Sequence, residues 1–129
     1  NLCYCAPKSL EMPAYVQEYV AQYPTATQTS FESLEEASKD ANILYVTRIQ
    51  KERFETEEAY SAVKGSYIVD SAFMETAPVN DKFRVLHPLP RVDEIATTVD
   101  SDPRAAYFRQ MENGMYVRMA LLALVMGTV

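Results

Sequence analysis

Residues 85–95 read VLHPLPRVDEI. An apolar strand signal, opened two residues earlier in KFRVLH, runs straight into His87-Pro88-Leu89-Pro90, and charge follows at once. Proline fixes φ and lacks an N–H, so a leucine bracketed by prolines ends any strand or helix. What so rigid a turn means depends on the sheet it leaves. Beyond the carboxyl end of a parallel strand it would stand where open α/β sheets bind their ligands.

The flanking sequence argues for such a sheet. Upstream, NILYVT reads as a buried strand, TEEAYSAVK as a helix, SYIVD as a strand and SAFMETA as a helix. Further back, residues 2–6 read as a strand closed by Pro7. Residues 12–23 carry Tyr15, Val16, Tyr19, Val20 and Tyr23 at helical spacing before Pro24. SLEE at Ser33 matches a capping box with Glu36 at its third position. Beyond Asp102, two helical segments hinged at Asn113-Gly114 are expected to reach about Met126. Strands alternating with helices over short connections predict a three-layer α/β fold, a mainly parallel sheet with helices on both faces. No repeat, low-complexity tract or linker divides residues 1–129, which read as a single domain portion.

Composition narrows the function. The chain has 129 residues, 48% apolar, enough for one modest core or for a piece of a larger domain. A formal net charge of −6 argues against general nucleic-acid binding. The apolar run at residues 119–126 falls well short of the ~20 residues of a membrane span. NLCYC opens like a strand cut at its start, with no leader pattern. Cys3 and Cys5 share a strand face without CxxC spacing, which suits a reducing, cytoplasmic setting. His87 is the single histidine, so neither a histidine-based metal cluster nor a Ser-His nucleophile is expected.

Two loops carry the candidate chemistry. Arg48 and Gln50 follow the strand NILYV and, two apart on an extended chain, point to one side. An arginine fork grips a carboxylate through paired charge-assisted hydrogen bonds, and glutamine can donate and accept beside it. That equipment suits a small dicarboxylate such as an amino acid. The competing possibility is that Arg48 pairs with a local acid: Glu52, Glu55, Glu57 or Glu58. The His87–Pro90 turn offers carbonyl oxygens without matching donors, able to accept from an –NH2 group. An X-Pro bond there could be cis. Its plainer alternative is a rigid turn that only ends the strand.

LYVTRIQKERF (44–54), VLHPLPRVDEI (85–95) and DPRAAYFRQMENGMYVRMALLALVMG (102–127) together closely resemble the aspartate carbamoyltransferase family, in its aspartate-binding C-terminal part. The form is similar to the eukaryotic type, often fused to other pyrimidine-pathway activities. Ornithine carbamoyltransferases carry HCLP where this chain has HPLP, so the resemblance implies L-aspartate as acceptor. It implies carbamoyl transfer from carbamoyl phosphate to the aspartate amino group, without metal or cofactor. It further implies that Arg48 grips an aspartate carboxylate with Gln50 assisting. The backbone carbonyls of Pro88 and Leu89, with Pro90 in cis linkage, would face the carbamoyl nitrogen and the attacking amine.

Residue by residue, Arg53 resembles a bridge to the other domain, and Tyr60 and Asp93 resemble a hydrogen-bonded pair holding a mobile loop at residues 51–59. Arg91 is expected to be structural, beside Asp93 and Glu94. Ala59 departs from the family, which often has glutamate before the loop tyrosine; Glu58 stands one position earlier. The resemblance also implies that the carbamoyl-phosphate domain and the opening of the aspartate domain lie outside this chain. The apolar stripe at Met115, Met119, Leu122 and Met126 would then pack on the missing domain. Active sites between subunits of a homotrimer are implied as well, and the chain alone should not turn over. An alternative is a non-catalytic assembly module of a pyrimidine multienzyme. A third possibility, an amino-acid sensor, needs aspartate affinity in the isolated chain.

Overall fold

The structure, a computed structural model, describes residues 1–78 and 81–128. Parallel pairing governs every described strand. β1 (Leu2–Cys5) pairs with β2 (Gln28–Phe31), and β3 (Ile43–Tyr45) pairs with β4 (Arg84–Leu86). The helices are α1 (Ala14–Ala21), α2 (Leu34–Ser38), α3 (Glu57–Ser61), α4 (Ser71–Thr76) and α5 (Tyr107–Val125). The α/β alternation is therefore present, with the sheet drawn as two short parallel pairs and two isolated parallel bridges, Val69 with Ile95 and Val85 with Ala105.

Local chemistry starts the short helices. Ser33, Thr56 and Asp70 each accept a backbone N–H three residues on, from Glu36, Ala59 and Phe73. These caps satisfy donors that a first turn leaves orphaned. At Ser33 the hydroxyl also donates to Glu35 at 2.7 Å, so the acid engaged is the neighbour of the expected Glu36.

The core gathers beneath β4. Phe83, Val85 and Tyr107 are wholly buried, and Val69, Phe73, Ile95 and Val99 close around them. Burying a large apolar side chain of this kind stabilises by about 1.5–3 kcal/mol each. β3 is only half inside: Leu44 packs on the core while Ile43 and Tyr45 lie more than half exposed.

Several expectations from sequence need correction. β2 was not foreseen, because QTSF is polar and its partner β1 supplies the pairing. SYIVD contributes one bridge rather than a strand: Val69 donates to Glu94 O and its own carbonyl receives Ala96 N–H, both at 2.9 Å. The C-terminal segment is one helix passing through Gly114 without a hinge. A mid-helix glycine costs about 1 kcal/mol, too little to break a helix of 19 residues. The Arg118 guanidinium also folds back over the space a Cβ at Gly114 would occupy.

Only the first turns of α5 meet the body, through Tyr107 and Gln110. Beyond them Met115, Met119, Leu122 and Met126 are 50–74% exposed, as are Leu121 and Leu124 on the other flank. This uncovered stripe is the one expected from resemblance to pack on a domain outside residues 1–129. No helix among the described residues is long and apolar enough to cross a membrane.

Candidate functional site

The register of β3 on β4 brings the two candidate loops together. Tyr45 lies opposite Leu86, and Val46 N–H donates to Leu86 O at 2.9 Å. Arg48 and His87 therefore leave adjacent parallel strands at the same carboxyl edge. The positions of Arg48 and Gln50 line a cavity of about 560 Å³. Tyr60, Lys64 and Asp93 share that cavity, as do apolar Leu44, Val46 and Phe54. Pro88, Leu89 and Pro90 do not line it, so the hollow receives the Arg48 loop and, from the other side, Val92, Asp93 and Glu94 just after the turn.

Arg48 is held loosely. Its guanidinium reaches Glu52 at 3.6 Å, with the two side chains 38% and 70% exposed. This is the local acid pairing weighed from sequence, and an exposed pair so long contributes little. Lys51 pairs with Glu57 at 2.5 Å and stands over the Tyr60 ring at 5.9 Å. Phe54 meets Tyr60 edge to face at 5.7 Å. Hydrogen bonding to Glu57 holds the Lys51 ammonium above its ordinary range. Arg53 sits in a 3-10 turn at residues 51–53, and its side chain lies outside the described positions.

Tyr60 and Asp93 make no hydrogen bond with each other among the described contacts. Asp93 pairs with Lys64 at 3.5 Å instead. Arg91 does not pair with the adjacent acids Asp93 and Glu94, beside which it was expected. Its guanidinium engages both oxygens of Asp100, donates to Tyr107 Oη at 3.1 Å, and stacks over the Tyr107 and Phe108 rings. Arg91 holds the Asp100 carboxyl below its usual range. Burial, then the Asp100 carboxylate, pushes the Tyr107 hydroxyl up to about 12.

The turn itself is built differently from the Arg48 arm. Leu89 has φ +49°, and the Leu89–Pro90 bond is cis. A bulky residue in that left-handed region costs about 1–3 kcal/mol and persists only where its surroundings impose it. Among the described residues, residues 87–91 make no backbone-to-backbone hydrogen bond. Side chains hold the turn. Gln110 accepts from His87 N–H at 2.9 Å, and His87 Nδ1 accepts from Leu89 N–H at 2.8 Å. His87 is 1% exposed, and its Nε2 meets Glu94 at 2.7 Å.

Burial pushes the Glu94 carboxyl up, but backbone N–H groups and His87 bring it, on balance, below its ordinary range. The carbonyl oxygens of Pro88 and Leu89 accept no hydrogen bond from any described group. Preorganised acceptors at a strand's carboxyl end can align a reacting –NH2. Burial raises the Cys5 thiol above its ordinary 9.0, which lowers its thiolate fraction.

Reading the sequence located Arg48, Gln50 and the turn but missed what fastens them. Glu94, Gln110, Asp100 and Tyr107 come from three later segments, and no local spacing marks them. A lone histidine followed by Pro-Leu-Pro was the one available signal.

A strand-end arginine and a turn with bare carbonyls thus stand at the carboxyl edge of a parallel α/β scaffold, where open sheets of this class bind small ligands. The model of the aspartate/ornithine carbamoyltransferase Asp/Orn-binding domain matches residues 1–125, and the chain belongs to that family. It is 54% identical over 127 residues to the multifunctional protein CAD of Squalus acanthias, covering 98% of this chain and 6% of that protein. It is 47% identical over 124 residues to the aspartate carbamoyltransferase catalytic subunit of Lachnoclostridium phytofermentans, covering 96% of this chain and 40% of that one.

Among solved structures, the catalytic subunit of M. jannaschii aspartate transcarbamoylase superposes with a TM-score of 0.83 at 40% identity, over 98% of this chain and 41% of that one. The Trypanosoma cruzi enzyme in complex with N-(phosphonacetyl)-L-aspartic acid gives 0.78 at 44% identity, over 93% and 38%. The chain thus spans about two fifths or less of each of these four proteins.

Proposed function

We propose that this chain supplies the aspartate-binding part of an aspartate carbamoyltransferase in pyrimidine biosynthesis. In that reaction the amino nitrogen of L-aspartate bonds to the carbamoyl carbon of carbamoyl phosphate as the C–O bond to phosphate breaks. The amine's proton leaves with the phosphate, giving N-carbamoyl-L-aspartate and phosphate. Arg48 grips a carboxylate of aspartate, and Gln50 orients it. The carbonyls of Pro88 and Leu89 accept from the amine and the carbamoyl –NH2, and Leu89 and Pro90 shape the carbamoyl-phosphate side. Arg53, Tyr60, Arg91 and Asp93 take part in loop and domain closure, with Arg91 fixing the turn's exit.

The observation that carries this reading is the unshared pair of carbonyl oxygens held beside the Arg48 strand. The relatives' names and the bound substrate analogue in one of them support it. The phosphate is held by a carbamoyl-phosphate domain outside residues 1–129, and the working enzyme is a cytoplasmic homotrimer or part of a larger pyrimidine multienzyme.

The test joins this segment to the remaining part of an aspartate carbamoyltransferase catalytic subunit and follows ureido product. Arg48→Ala is expected to raise the KM for aspartate about 10–100-fold, the value of a charge-assisted hydrogen-bonded contact. An unchanged KM would remove Arg48 from the site.

The uncovered apolar length of α5 favours a second reading, an assembly module without catalysis. It requires association with the remaining part of the subunit that survives loss of Arg48 and Gln50, with no product formed.

A further inference from the structure

We infer that His87 and Glu94 form a positioning pair that sets the place of the Pro88 carbonyl for the transfer step. The inference rests on the reading above, in which that carbonyl meets the reacting –NH2 group. It goes beyond it by assigning the means.

Leu89 adopts φ +49°, a conformation a leucine does not choose by itself. Backbone pairing does not enforce it, since among the described residues the turn makes no backbone-to-backbone hydrogen bond. The one group on the Leu89 N–H is His87 Nδ1, at 2.8 Å. Because Nδ1 accepts there, the ring hydrogen facing Glu94 belongs to Nε2, and the 2.7 Å contact runs from Nε2–H to the carboxylate.

Glu94 fastens the same turn at its exit. Its second oxygen accepts the N–H groups of Val92 and Asp93, both at 3.2 Å. One carboxylate therefore ties the ring to the backbone just past Arg91, and the ring ties to the backbone of Leu89. Rotation of the imidazole would release Leu89 N–H, and the Pro88 carbonyl, which lies in the same peptide plane, would move with it. Displacing an acceptor by about 1 Å can cost roughly 100-fold in rate with no contact to substrate lost. His87 and Glu94 touch no reacting atom in this account. They act through the peptide that joins Pro88 to Leu89.

The test compares two substitutions of nearly equal shape in the joined catalytic chain. His87→Asn places Oδ1 where Nδ1 stood and keeps an acceptor for the N–H two residues on; His87→Leu does not. Both forfeit the Glu94 contact, so their ratio isolates the acceptor. We expect kcat of His87→Asn to exceed that of His87→Leu at least about tenfold, with KM for aspartate within about threefold of the parent in both.

Equal kcat values in two folded variants would overturn the inference. Should either variant fail to fold, Glu94→Gln decides: a kcat drop of about tenfold at constant KM supports the pair, and a kcat within about twofold of the parent overturns it. Arg48→Ala serves as the separate control. If it leaves aspartate KM unmoved, the functional reading fails and carries the inference down. If it raises KM while the position-87 pair are alike, the inference alone falls.

Discussion

Two loops leave neighbouring parallel strands at one edge of this chain, and they are held in opposite ways. The Arg48 arm is fastened from outside by exposed ion pairs, Arg48 with Glu52 and Lys51 with Glu57. The His87–Pro90 turn is fastened from beneath by hydrogen bonds to His87, Gln110 and Glu94, over a core containing Phe83 and Val85. Under the proposed function the difference matches two different tasks. An arm that grips a diffusing carboxylate must open and close, whereas an acceptor that aligns reacting atoms gains by not moving.

The largest break in that contrast is expected from Phe83→Ala, which empties the core under β4. Urea denaturation should register a loss of about 3–5 kcal/mol, the usual cost of deleting a buried phenylalanine ring. A loss under 1 kcal/mol would mean that the turn does not stand on that core.

Arg91→Ala should come next, at about 1–3 kcal/mol, because it strips the guanidinium from the partly buried Asp100 and from Tyr107. The same residue sets an acid limb. Asp100 titrates lower in the folded chain than its ordinary 3.8. The unfolded chain therefore binds the proton first, and stability contributed above 3.8 is lost as pH falls through the lower folded value. Comparing denaturation midpoints at neutral pH and below pH 3.8 should show this loss shrinking in Arg91→Met. An acid limb identical in parent and variant would assign it to other carboxylates, such as Asp102 beside Arg104.

Lys51→Ala should do least. Both members of its pair are more than half exposed, so the urea midpoint is expected to stay where it is. A clear shift would show the arm to be fixed more firmly than its surface pairs allow.

What the sequence made legible follows the same division. The fold class was readable because strand and helix patches alternate, and the strand ends pointed to Arg48, Gln50 and the turn. The cap at Ser33 was readable because it is local. β2 was not, since QTSF becomes a strand only through its partner β1. The hinge expected at Gly114 failed because one glycine's cost is small against the rest of α5. Nor could spacing announce that Arg91 would bypass its neighbouring acids for Asp100 and Tyr107, a choice made by tertiary packing. The Tyr60–Asp93 bond expected by resemblance is replaced here by Asp93 with Lys64.

Amide hydrogen exchange tests the contrast most directly, because the Leu89 N–H reports the His87 Nδ1 bond and the amides of residues 48–54 report the arm. The account predicts slow exchange at Leu89 and His87, near that of the β4 core, with fast exchange across the arm. Exchange at Leu89 as fast as at Lys51 would contradict it.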